Sequence, residues 1–140
     1  MMAGIRGKDT KPEKLLRSGL FLRGFRFRIH RRDLPGKPDI VFSGRRAVIF
    51  VNGCFWHGHG CHLFKWPTSN SAFWKQKVEQ TRVVDQRACA WLLADGWRVC
   101  HVWECAMRGR QRRGAAEVLD QLEAWLASTA SECRIEGRPA

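Results

Sequence analysis

The spacing of apolar residues changes several times along the chain, and each change marks an element. In "KPEKLLRSGLFL" Leu15, Leu16 and Leu20 recur at helical spacing and would face a core. Asp9 or Thr10 can cap that helix, Pro12 suits its first turn and Gly24 its end. "FRFRIH", from Phe25 to His30, alternates strictly and predicts a half-exposed strand with Arg outward. "LPGKP" predicts a turn. "DIVF" and "RAVIFV" are short apolar runs joined by "SGRR", the pattern of a hairpin. A long helix is predicted from about Ala72 to Ala94, then a buried strand in "WRVCHVW" and a basic loop in "RGRQRRG". Ala115 to Ala127 predicts an amphipathic helix with Val118, Leu119, Leu122 and Leu126 inward. Residues 128–140 show no such period and are expected to be a flexible tail. The order α-β-β-β-α-β-α predicts an α/β fold, one domain over residues 1–127 with a mixed central sheet flanked by helices.

Between the hairpin and the long helix runs "NGCFWHGHGCHLFKWP", where no period holds. Cys54, His59 and Cys61 form a C-x4-H-x-C pattern, three zinc-type ligands in one Gly-rich loop. A fourth must come from elsewhere, and Cys105, after the "WRVCHVW" strand, can return to it. Buried free thiols are the plainer alternative. Four protein ligands would close the coordination shell, so such a zinc would be structural. His57 and His62 are then spare. On the long helix, Val78, Thr81, Ala88 and Leu92 share one stripe, and Asp85 falls in its middle. A carboxylate facing a core needs a partner. An Arg or a backbone group would serve; the sharper expectation is a His57–Asp85 pair, with Asp85 orienting a general base.

Charge narrows the class. Lys plus Arg number 25 against 13 Asp plus Glu, a formal charge of +12. That excess points to a polyanion, most often nucleic acid. No run of about 20 apolar residues is present, which excludes a helical membrane span. The first residues lack the apolar core of a secretory signal, so the cytoplasm is expected. In a reducing compartment the six cysteines are expected as metal ligands or free thiols rather than disulfides.

"GKPDIVF" followed by "AVIFV" resembles the core of the PD-(D/E)xK nucleases, in which an Asp at the start of one hairpin strand holds Mg2+ against a scissile phosphate. The second strand departs from that motif, because "AVIFVNG" carries neither an acidic residue nor Lys. Together, "LPGKPDIVF", "FVNGCFWHGHGCHLFKWP", "FWKQKV" and "GWRVCHVWECAMRGR" resemble the very-short-patch repair (Vsr) endonucleases from about Met2 to Trp125. These nick DNA 5′ to the T of a T·G mismatch.

The resemblance implies a restriction-endonuclease-like domain with a structural zinc loop. It implies Mg2+ on Asp39 and on the backbone carbonyl of Val51, with Glu13 near the metal's waters. His57 becomes the general base and Asp85 its partner, and Zn2+ falls on Cys54, His59, Cys61 and Cys105. Phe55, Trp56 and Trp74 match an aromatic wedge beside the mismatch, and Met2 matches a further wedge on a shortened N-terminal arm. Lys77 and the "RGRQRR" arginines would contact phosphates or base edges. Trp66, Trp91, Trp97, Trp103 and Trp125 are expected in the core. Asn52 stands where some family members carry His; it can donate a hydrogen bond but cannot transfer a proton at neutral pH. The implied protein is a nucleoid-associated monomer acting on double-stranded DNA, with a MutL-type repair protein as a candidate partner. Two other readings stay open: a nicking enzyme of this fold that needs no mismatch, and a DNA-binding module with degenerate chemistry. His62, Cys89, Cys100 and Cys133 have no implied role.

Overall fold

A computed structural model describes residues 10–55, 57, 59–61, 63 and 65–139. The elements are α1 (Lys11–Leu22), β1 (Ile40–Phe42), β2 (Ala47–Asn52), α2 (Ser71–Ala94), β3 (Arg98–Trp103), α3 (Glu104–Met107), α4 (Ala115–Ala127) and β4 (Glu132–Ile135), with a 3-10 turn at Ser43–Arg45. The strands form one mixed sheet in the order β1-β2-β3-β4. β1 and β2 are an antiparallel hairpin, whereas β3 pairs in parallel with both β2 and β4. The predicted α/β architecture with helices flanking a mixed sheet is therefore observed.

β1 and β2 are covered on both faces, which is why they read as unbroken apolar runs. Alternation then sorts each strand. Ala47 and Ile49 on β2, with Cys100 and Val102 on β3, pack with Leu16 and Leu20 of α1 and with Val118, Leu122 and Leu126 of α4. Val48, Phe50 and Val99 face the other way, onto Leu92 of α2 and Trp97. α1 lies close on α4: a Cβ at Gly19 would sit 2.3 Å from Leu119 Cδ1, so any larger residue would push the Leu119 side chain aside.

Thr10 caps α1, its hydroxyl accepting from the Glu13 N–H at 3.4 Å; Asp9, the other capping expectation, lies outside the described residues. Leu16 and Leu20 are fully buried, but Leu15 is exposed. Phe25–His30 does not form the predicted strand. It contributes a single bridge, Arg28 to Val41. The alternation itself holds, because Phe25 and Phe27 pack edge-on against Phe42. Trp66 and Trp91, expected in the core, are 40% and 50% exposed, while Trp97, Trp103 and Trp125 are buried. The segment expected to be a flexible tail carries β4, whose Ile135 is buried in the α1/α4 core. Of its four residues only Cys133 and Ile135 turn inward, too short a run for a periodic signal.

Candidate functional site

The C-terminal end of β2 organises the site. Asp39, just before β1, donates its N–H to Ile49 O at 3.0 Å, and its Oδ2 accepts from the Val51 N–H at 2.6 Å. The N–H and C=O of one strand residue point to the same edge. The Val51 carbonyl thus projects to the side on which Asp39 lies. Glu13, only 3% exposed, brings its carboxyl into hydrogen-bonding contact with Asp39. Burial, with Glu13 beside it, pushes the Asp39 carboxyl up to about 8, against the pull of the Val51 N–H and of Arg17. Two carboxyl groups forced together inside a fold favour a shared proton or a cation. Asp39 and the strand-edge carbonyl are hard oxygen donors, which suits Mg2+.

One residue further on, Asn52 lies on the opposite face of β2, towards α2, and is buried. Its carboxamide Nδ2 is 2.9 Å from His101 Nδ1 on β3. His57 follows in the loop after β2, and its Nδ1 bonds Asp85 Oδ2 on α2. Asp85 is thus where its helical stripe put it, flanked by the buried Val78, Ala88 and Leu92. Asn52, His57, Asp85, His101 and Trp103 line one cleft of about 400 Å3. The indole N–H of Trp103 is buried there with no hydrogen-bond partner among the described residues. With Nδ1 taken by Asp85, His57 retains Nε2 for an incoming proton.

The other half of the loop is a metal-type cluster. One ligand atom from each of Cys54, His59, Cys61 and Cys105 lies within 4.8 Å of the others. His59 Nδ1 faces the sulfurs, 3.5 Å from Cys54 Sγ and 3.6 Å from Cys105 Sγ. Its Nε2 is 2.7 Å from Glu136 Oε1, and its ring stacks on Trp103 at 4.2 Å. Cys105 Sγ also accepts from the Gly137 N–H at 3.2 Å. Burial raises the thiols of Cys54 and Cys105, so a thiolate there needs a cation. Three sulfurs and one imidazole, the imidazole held from behind by a carboxylate, is a donor set that suits Zn2+. All six cysteines are free.

Phe55 and Trp74, both half-buried, meet edge-on at 5.8 Å. Phe73 extends the aromatic group at 5.1 Å from Trp74, and exposed Lys77 places Nζ 5.8 Å from the Phe73 ring. Met2, Trp56 and His62 lie outside the described residues. Among the "RGRQRR" arginines, Arg113 is used internally, donating to Glu136 O and Glu117. Arg108 donates to Glu104.

Sequence reasoning missed His101 and Glu136. His101 sits in a strand that read as core, and only its place on the same face as Phe50 and Asn52 would have marked it. Glu136 lies in the stretch taken for a tail.

The chain is similar to known proteins along most of its length. The family described as DNA mismatch endonuclease Vsr matches residues 1–63. The chain is 54% identical over 107 residues to the type II nicking enzyme V.XorIIP of Xanthomonas oryzae, covering 76% of this chain and 79% of that protein. It is 41% identical over 135 residues to the DNA mismatch endonuclease Vsr of Escherichia coli, covering 96% and 86%. It is also 41% identical over 110 residues to the type II nicking enzyme V.NmeAIP of Neisseria meningitidis, covering 79% of each. With the α/β core, the half-buried Asp39 and the Cys/His loop in place, this chain belongs to the Vsr family of endonucleases.

Proposed function

We propose that this endonuclease nicks one strand of duplex DNA 5′ to the T of a T·G mismatch, with Mg2+ at Asp39 and structural zinc at Cys54, His59, Cys61 and Cys105. The observation that carries the chemical reading is the His57–Asp85 bond in the cleft that Asn52, the last residue of β2, also lines. Bound Mg2+ supplies polarisation of a phosphoryl oxygen and an acidified water.

The chain's own residues do the rest. Asp39 and the Val51 carbonyl would hold the cation, and Glu13 would orient its waters. The Asp85 carboxylate accepts the His57 Nδ1 proton and so fixes the tautomer with a basic Nε2. That nitrogen would take a proton from the attacking water, and Asp85 would stabilise the imidazolium formed. Asn52 would donate to a phosphate oxygen. Phe55, Trp56 and Trp74 would open the base stack beside the mismatch, with Met2 as a further wedge. Unstacking costs a few kcal/mol and is cheapest at a poorly paired step. Lys77 and the exposed Arg110 and Arg112 would contact phosphates, consistent with the charge of +12. We read the active species as a monomer with a MutL-type protein as its candidate partner. Among the described residues no helix is long and apolar enough to cross a membrane.

Nicking that needs no mismatch is the second reading, because relatives bear the name nicking enzyme without mention of a mismatch. A panel of labelled duplexes, fully paired or with one T·G pair in varied contexts, separates the two when incubated with and without Mg2+. Cleavage confined to the T-bearing strand of T·G duplexes is expected. Equal cleavage of paired duplexes would overturn the mismatch requirement, and no cleavage of any duplex would overturn the nuclease reading.

A further inference from the structure

His101 lies on the sheet face that carries Val48, Phe50 and Val99, where that face gives way to the cleft lined by Asn52, Trp103 and Arg134. Its register partner on β2 is Phe50, whose ring it stacks on at 5.1 Å and 14°. The Trp103 ring lies beyond it at 6.5 Å and 24°. The imidazole plane is therefore set by packing, and its Nδ1 meets the Asn52 carboxamide at 2.9 Å. Desolvation lowers the His101 pKa and keeps the ring neutral. A neutral ring whose Nδ1 accepts carries its proton on Nε2.

Asn52 gains a defined orientation from this bond. A primary amide can flip, and at a site that must receive a phosphate oxygen a flipped amide presents an acceptor where a donor is required. With one Nδ2 hydrogen committed to His101, the flip would set Asn52 Oδ1 against a lone pair. The second Nδ2 hydrogen remains for the cleft.

We propose that His101 is a positioning residue of the nicking reaction: by accepting from Asn52 it locks the carboxamide with its remaining N–H in the cleft shared with His57 and Asp85. The proposal rests on reading that cleft as the phosphodiester site. It adds to that reading a residue from β3, together with the reason a polar ring interrupts that strand.

A satisfied half-buried pair with no part in the reaction would look the same at rest, so the test must read the reaction. Single-turnover nicking of a T·G duplex with Mg2+ is measured for the wild type, Asn52→Ala, His101→Val, the double variant, His101→Asn and His101→Gln. Melting temperature and zinc content are followed in each. An Asn side chain places an amide oxygen where Nδ1 stood; a Gln side chain places it nearer Nε2. His101→Val and His101→Gln should slow the maximal rate on the order of tenfold, with half-saturating DNA concentration unchanged. That is short of the roughly 10²–10³-fold that outright loss of a transition-state donor costs. His101→Asn should recover most of the rate. In the Asn52→Ala background His101→Val should cost nothing further, because the residue it positions is gone. Wild-type rates in His101→Val or His101→Gln, equal slowing by Asn and Gln, or additive losses in the double variant would each overturn the proposal. Those outcomes leave the nuclease reading intact, which falls only if the wild type itself nicks no duplex.

Discussion

His59 is held from two sides. Its Nδ1 faces the sulfurs of Cys54 and Cys105, and its Nε2 bonds Glu136, 77 positions further along the chain. The same C-terminal segment donates the Gly137 N–H to Cys105 Sγ. A Cβ at Gly137 would lie 2.8 Å from the Cys105 carbonyl oxygen, so glycine is required where the segment crosses the cluster. The segment that follows β4 thus acts as a latch over the ligand set.

Glu136→Ala should loosen the metal without unfolding the chain. Carboxylates behind a metal-bound imidazole are worth about 10–100-fold in affinity. Zinc transfer to a chromophoric chelator should accelerate by about that factor. Unchanged release would show that Glu136 is only a surface partner of His59.

Loss of a ligand should be more severe. Cys54, Trp103 and Cys105 form their own small buried cluster, separate from the two cores on the sheet. Without a cation, two raised thiols and an imidazole stand together where the loop after β2 meets the start of α3, tied mainly by the Cys54 N–H donating to Glu104 at 3.1 Å. Metal analysis should find one zinc per chain, and Cys105→Ser or Cys61→Ser should lose it and fail to fold stably. A folded, pure chain without zinc would refute the assignment.

The sequence disclosed different parts of this site for different reasons. Cys54, His59 and Cys61 were legible because loop ligands sit close in sequence, and Asp85 because it interrupts a helical stripe. His101 was hidden because a largely buried strand gives no clean alternation to violate. Glu136 was hidden because β4 buries only Ile135 and is held by pairing to β3, a contact no local pattern reports. Phe25–His30 shows the converse. Its alternation records which side chains face the core, as Phe25 and Phe27 do, and says nothing of whether a backbone ladder forms.

Asp39 should make the metal-free protein sensitive to pH. Folded, it holds its proton up to about 8, whereas its ordinary value is 3.8. Between those values the folded state binds more protons than the unfolded state, so stability falls as pH rises through the window. Asp39→Asn removes the titration. In Mg2+-free buffer without chelator, which leaves zinc in place, the variant should melt above the wild type at pH 8 by about 5 °C or more. The gap should narrow towards pH 5. Mg2+ at pH 8 should raise the wild-type melting point and leave the variant's unmoved, while the variant should bind DNA but not nick it. A wild type indifferent to Mg2+ would remove Asp39 from the metal site.

The His57–Asp85 pair permits a prediction in which the milder-looking substitution does more harm. Asp85 accepts from His57 Nδ1, which leaves Nε2 basic. Asp85→Ala removes the acceptor and lets the ring choose either tautomer, so part of the population keeps a usable base. Asp85→Asn can donate to Nδ1 instead, which moves the ring proton to Nε2 and blocks the atom that must receive one. Losing a positioned base costs about 10²–10⁴-fold, and a wrong tautomer lies at the upper end of that range. Single-turnover nicking should therefore fall further in Asp85→Asn than in Asp85→Ala. Affinity for duplex DNA should not fall in either, since both remove a negative charge from a basic protein. The near-isosteric Asn should also leave the melting temperature close to that of the wild type, which separates the chemical effect from a packing one. Equal losses in the two variants would mean that Asp85 serves only as a counter-charge, and an unimpaired Asp85→Asn would exclude His57 as the base.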